Sequence, residues 1–184
     1  MLAQKKIEEE RKKKKEAVKK KPSIASNAES KIASKLEWEL FEMQNRLRED
    51  PKSFISYLQA QLDTFKGNVM TDTSQRSIQT VEGASAWSEA ISYLMNAEAR
   101  QPLAWSDGLA ASAYDHCSDI GGRGVASHNG KNGSSPFDRI ARYGKASGME
   151  GENISFGSNT AKAIIMDLFV DDGVRNRGHR NSLM

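Results

Sequence analysis

The chain has 184 residues and a net charge of +3, a length that suits one domain with a tail. Leu, Ile, Val and Phe number only 34, a thin supply for a self-contained core. No run of about 18 apolar residues and no leader-like stretch occur, and the lone Cys117 excludes an internal disulfide, so a cytoplasmic, reducing location is expected.

Charge is distributed unevenly. Residues 1–22 carry ten Lys and Arg against four Glu, whereas residues 23–184 carry 17 against 20. Glu8, Glu9 and Glu10 stand four residues before Lys12, Lys13 and Lys14, a spacing that supports a solvated helix by about 0.2–0.5 kcal/mol per pair. No apolar face accompanies that charge, which excludes an amphipathic membrane helix. No aromatics interleave the lysines, which disfavours nucleic acid. The tail is therefore read as an exposed segment, or as an arm for an anionic partner. Pro22 and the polar stretch 23–30 form a hinge, giving a tail at 1–30 and a folded domain at 31–184.

The body reads mostly as helices. Leu36, Leu40, Met43 and Leu47 form an apolar stripe, widened by Trp38 and Phe41. Asp50-Pro51 restarts a helix, because Pro at the first position sacrifices no hydrogen bond. Phe54, Leu58, Leu62 and Phe65 line its face, and Gly67 stops it. Residues 68–80 read as a polar loop. A third helix is expected over about 82–98 with Trp87, Ile91 and Leu94 inward. A fourth, capped by Ser106, places Leu109, Ala113 and His116 on one face and ends at Gly121. The Gly- and Asn-rich segment 121–135 is a long loop, the kind that often carries function. Ser135-Pro136 opens a short helix, and Glu152–Phe156 is the best strand candidate. Ser158 or Thr160 caps the last clear helix, and Asp171-Asp172-Gly173 closes it.

Local motifs for chemistry are weak. His116, His128 and His179 lack any HExxH-type spacing, so a metal site needs distant segments to converge. His116-Cys117 and Ser127-His128 are adjacent pairs. Neighbouring residues on a helix point about 100° apart and do not pair, so Cys117 reads as a small core residue. No nucleophile elbow and no phosphate loop occur. The glycines at 121, 122 and 124 read as a turn. Asn132-Gly-Ser and Asn153-Ile-Ser match the glycosylation triplet but need a secretory route to matter.

Three segments taken together carry a resemblance: SHNGKNGSSPFDRI at 127–140, GENISFG at 151–157 and RGHRNSL at 177–183. In that order they resemble the CAP superfamily, also called the SCP domain, which covers cysteine-rich secretory proteins, antigen 5 and pathogenesis-related 1 proteins. LREDPKSFI at 47–55, TVEG at 80–83 and LAWSDGLAASAYDHCSDIG at 103–121 are similar to its intracellular, cysteine-poor branch. The resemblance implies a helix-rich α+β fold, an α–β–α sandwich with a shallow cleft. It assigns to that cleft His128, Glu152, His179 and a second acid, matched best by Asp171 and next by Asp172. His128, His179 and Glu152 are the metal ligands it implies, with Zn²⁺ the cofactor; without metal, the same groups form a His–carboxylate hydrogen-bond cluster that orders the cleft floor. His116, Asn153 and Arg180 are expected as structural supports, with Arg180 paired to Asp171 or Asp172. The family normally continues past Gly-His-Arg into further strands, so this chain, ending at Leu183-Met184, is expected to be truncated with an incomplete central sheet.

The function this implies is a binding module for a lipid-like small ligand or a protein partner, with Zn²⁺ in the cleft. A metal-assisted hydrolase built on the same residues is the first rival, with Glu152 as general base. A scaffold acting through the basic tail is the second. No activated nucleophile is visible, so binding is favoured over catalysis.

Overall fold

Ser34 begins the described part of the chain, and it does so as a helix cap. The computed structural model describes residues 34–72, 74–145 and 148–184. The expectations for the tail and hinge at 1–30 lie outside the described residues.

The Ser34 hydroxyl accepts from the Glu37 N–H while the Glu37 carboxylate accepts from the Ser34 N–H, a reciprocal box that starts α1 (Lys35–Glu49). A short 3₁₀ turn at Pro51–Phe54 leads into α2 (Ile55–Leu62), as Asp50-Pro51 predicts. Leu47, Phe54 and Leu58 are buried, with Leu62 and Phe65 packed against them.

Residues 68–80 are not a plain loop. Strands β1 (Val69–Thr71) and β2 (Ser77–Gln79) form an antiparallel hairpin, with Met70 opposite Ile78. This is the one sheet among the described residues. The turn between them is pinned by Asp72, whose carboxylate accepts from the Ser74 and Arg76 backbone N–H groups. Helix α3 (Ala84–Asn96) starts at Gly83. Gly83 has φ +64°, and a Cβ there would lie 2.6 Å from the Asn68 side chain, so only glycine fits. Trp87, Ile91 and Leu94 face the core as their spacing predicts.

After α3 the chain crosses back along α1. Asn45 bonds both backbone groups of Leu103, and Trp105 packs against Trp38 and Phe41 at ring-centroid distances of 5.2 and 5.4 Å. Ser106 then caps α4 (Asp107–Gly121). The buried face of α4 is Ser112, His116 and Ile120, whereas Leu109 is exposed. Cys117 is exposed too, because it sits one residue past that inward stripe rather than on it. Helix α5 (Pro136–Ile140) opens with a second capping box, Ser135 with Asp138. Thr160, not Ser158, caps α6 (Ala161–Val170); the Ser158 hydroxyl donates to Asp167 instead. A last helix, α7 (Gly178–Leu183), has no counterpart in the sequence reading.

Helices α1, α2, α3 and α6 enclose one core with Leu94, Met166, Phe169 and Val170 at its centre. The α4–α5 pair stands beside it and carries the histidine loop. The expected strand at Glu152–Phe156 is absent: the segment has no ladder partner among the described residues, and Phe156 is exposed. The architecture is helix-rich α+β with a small two-stranded sheet. Among the described residues no helix is long and apolar enough to cross a membrane.

Candidate functional site

The first half of the site is built by α4, the loop that follows it, and α5. His116 points inward from α4 and is 2% exposed. Its Nε2 lies 2.8 Å from the Ser127 carbonyl oxygen, so Nε2 carries the proton and donates. That bond fixes the backbone just before His128. The loop is closed further by Asp119, whose carboxylate accepts from the Lys131 N–H and is held below the usual carboxylate range by it.

Arg139 is the pivot of this half. It lies on the five-residue α5 yet is only 2% exposed. One Nη donates to the carbonyls of His128 and Ser134, at 3.0 and 2.9 Å; the other donates to Glu152 Oε2 at 2.7 Å. The second Glu152 oxygen, Oε1, accepts from His128 Nδ1 at 3.0 Å and lies 3.8 Å from His116 Nε2. One carboxylate thus meets two imidazoles and a guanidinium.

The second half is built at the end of α6. Asp171 caps that helix in the left-handed region, φ +60°, and is 4% exposed. Its Oδ1 accepts from His179 Nδ1 at 2.7 Å and its Oδ2 from the His179 N–H at 2.9 Å. Asp172 turns the other way, taking the Val81 and Glu82 N–H groups at 2.7 and 2.8 Å. Asp171 is therefore the acid beside His179, and Asp172 is a loop anchor. The Asn153 amide donates to the His179 carbonyl at 3.3 Å, so the consecutive residues Glu152 and Asn153 reach both halves.

Arg180 does not pair with Asp171 or Asp172. It points into the fold, donating to the carbonyls of Phe169 and Val170 and to Glu89 at 2.7 Å. The reason is local: α7 begins at Gly178, which puts residue 180 on the face against α6 and α3. Arg177 supplies the neighbouring clamp, bonding Glu82 and Glu89. Its guanidinium, with the Gly173 N–H, holds the Glu82 carboxyl down at about 2.

His128 and His179 share one chemical feature. Each gives Nδ1–H to a carboxylate, and no hydrogen bond among the described residues takes up either Nε2. The His128 side chain is 51% exposed and the His179 side chain 29%. In the neutral form each Nε2 carries an outward-available lone pair. Among the described residues no three His, Cys, Asp or Glu side chains gather so as to hold a metal ion by themselves. The Ser127 hydroxyl accepts from the Asn129 N–H, and neither it nor Cys117 bonds a histidine.

A family model described as CAP, the cysteine-rich secretory protein family, matches residues 41–184. The chain belongs to the CAP family. That match runs from α1 to α7 and takes in every residue of the two carboxylate–imidazole pairs. No curated protein and no solved structure matched the chain.

Of the residues expected in the CAP cleft, His128 meets Glu152 and His179 meets Asp171, with His116 and Asn153 as their supports. Arg139, Glu82, Glu89 and Arg177 were not foreseen. Arg139 stands in PFDRIAR, where a surface arginine would look the same, so no local signal marks it. Glu82 and Arg177 are 95 residues apart, and nothing in the chain couples them.

Proposed function

We propose that this CAP domain is a binding module whose ligand is held through the paired Nε2 lone pairs of His128 and His179. One observation carries the reading: both imidazoles are locked by Nδ1–H bonds to carboxylates, Glu152 and Asp171, leaving Nε2 as the available atom. A carboxylate behind a histidine orients the ring and raises its basicity as a ligand. Arg139 neutralises Glu152 and holds the His128 backbone, so the pair is preset before any ligand arrives.

Zn²⁺ is the ligand that donor set suits best, since neutral imidazole nitrogen binds it at about 2.0–2.1 Å. Two protein nitrogens are fewer than the three of a catalytic zinc centre. The remaining positions fall to water and to the head group of a lipid-like or protein ligand. Titration calorimetry with Zn²⁺ tests the proposal. The expected result is a saturable heat in the wild type, lost in His128→Ala/His179→Ala. Identical heats in both proteins overturn the zinc assignment.

A further inference from the structure

A concavity lies apart from His128 and His179. It is about 360 Å³ and is enclosed by α2, the hairpin, the segment 156–160 and α6. That size is within the range of small-molecule sites. None of His128, Glu152, Asp171 or His179 lines it.

Its floor is apolar. Met70, Trp87 and Val170 are each under 5% exposed, and Ile78 and Ala163 extend the surface. The Trp87 N–H is already donated to Gln61 at 3.0 Å, so the indole offers the groove only its ring.

The charges around that floor are unbalanced. Among the lining residues, Asp72, Asp167 and Asp172 face one cation, Arg76, while the Lys162 ammonium lies 4.3 Å from the ring of the lining Tyr57. Arg76 is spent on Asp72 at 2.7 Å. Asp172 is spent on the backbone at Val81 and Glu82. Asp167 makes no ion pair among the described residues; its one side-chain hydrogen bond comes from the neutral Ser158 hydroxyl at 2.5 Å. Asp167 is exposed to the groove, and the protein around its carboxylate pushes its pKa up, against the Ser158 hydroxyl bond and the Arg76 charge. A bound cation relieves that cost directly.

We propose that this groove binds a small organic ammonium ion, its apolar body on the Trp87 floor and its N–H groups donated to Asp167. The apolar floor excludes a bare metal cation as the best occupant, and the surplus carboxylate excludes an anion. An ammonium on a short aromatic or alkyl body satisfies both surfaces together. The site is independent of the zinc reading, since the two share no residue.

The test is an amide-nitrogen NMR titration of the full chain with phenethylammonium, set against its neutral counterpart 2-phenylethanol. The expected result is saturable movement of the Trp87 indole and Gly157 signals. The ammonium should bind at least tenfold tighter than the alcohol. Asp167→Asn keeps the side-chain size and still accepts from Ser158, so the remaining spectrum should stay in place. It should bring the ammonium down to the affinity of the alcohol. Three outcomes overturn the proposal: no saturable shift at these signals, equal affinities for the two compounds on the wild type, or Asp167→Asn binding the ammonium undiminished. The comparison of two compounds on the wild type needs no variant, so it decides the matter even if Asp167→Asn fails to fold.

Discussion

Arg139 shows how much of the cleft depends on one buried side chain. Its guanidinium spans the His128 carbonyl, the Ser134 carbonyl and the Glu152 carboxylate. Burying a guanidinium is costly unless nearly every N–H is matched by an acceptor. Here the carboxylate that compensates Arg139 is the same one that orients His128. Replacing Arg139 by Met keeps the bulk and removes the charge, leaving Glu152 half-buried and uncompensated. The expected loss is about 3 kcal/mol in urea unfolding, the usual scale for breaking a buried ion pair from one side. Zn²⁺ binding should weaken with it, because the His128 backbone loses its anchor. A loss under about 1 kcal/mol would mean that solvent compensates the pair, and Arg139 would not be the pivot described above.

At the scale of elements, the decisive piece is the turn from Asp171 to Arg177. Asp171 and Arg177 both adopt positive φ, at +60° and +50°, and Gly173 between them has φ +83°. Non-glycine residues rarely accept that region without surrounding contacts to enforce it. The enforcing contacts are the Asp171–His179 bonds and the Arg177 clamp on Glu82 and Glu89. Gly173 is the residue with no substitute. A Cβ there would lie 3.2 Å from Val81 Cγ2, besides the cost of its backbone angle. Gly173→Ala is expected to cost about 1–2 kcal/mol, more than the ordinary entropic gain of that change returns. Because the turn sets His179, the same variant should also show a shifted His179 side-chain NMR signal. An unchanged signal would separate the turn from the cleft. The same elements show what the chain reveals before folding. Helices α1, α2, α3 and α6 are readable because Leu40, Leu47, Leu58, Leu94 and Phe169 recur at helical spacing and do face the core. The hairpin is not readable, since only Met70 and Ile78 point inward and three residues per strand are too few to reveal a period of two. The 152–156 segment has a strand-like composition but no strand beside it among the described residues, so its Glu and Asn serve the cleft instead of a ladder. Helix α7 lacks both an apolar period and a side-chain cap; its own Arg180 anchors it through the carbonyls of Phe169 and Val170 and the Glu89 carboxylate. That His128 and Glu152, and His179 and Asp171, belong together was suggested by the family resemblance alone, since the partners lie up to 24 residues apart.

For the molecule as a whole, the small aliphatic supply is supplemented by charge. Arg177 and Arg180, 9% and 2% exposed, tie Glu82, just before α3, and Glu89, in the middle of α3, to the end of α6 and to α7. Arg180 also lies over the Tyr93 and Phe169 rings at 5.5 and 5.2 Å, so the ionic layer is continuous with the core. Such a layer makes stability depend on pH with a definite sign. The Glu82 carboxyl is held at about 2 by the Arg177 guanidinium and the Gly173 N–H, against an ordinary value near 4.5. Glu89 is lowered by Arg177 and Arg180, against its own partial desolvation. A carboxyl depressed on folding binds fewer protons folded than unfolded, so its stabilisation is complete above about pH 4.5 and is lost as pH falls towards 2. Asp167 acts the other way, since its groove raises its pKa, but it is one group against several. The melting temperature is therefore expected to hold level above about pH 5 and to fall steadily between about pH 4.5 and 2. Glu82→Gln should melt lower than the wild type at pH 7, because Arg177 loses a charged partner, and should descend less steeply in acid. Equal acid slopes for the two proteins would show that the Glu82 charge is not what joins α3 to the His179 turn, and the stability of that junction would rest on the core contacts of Phe169 and Tyr93 instead.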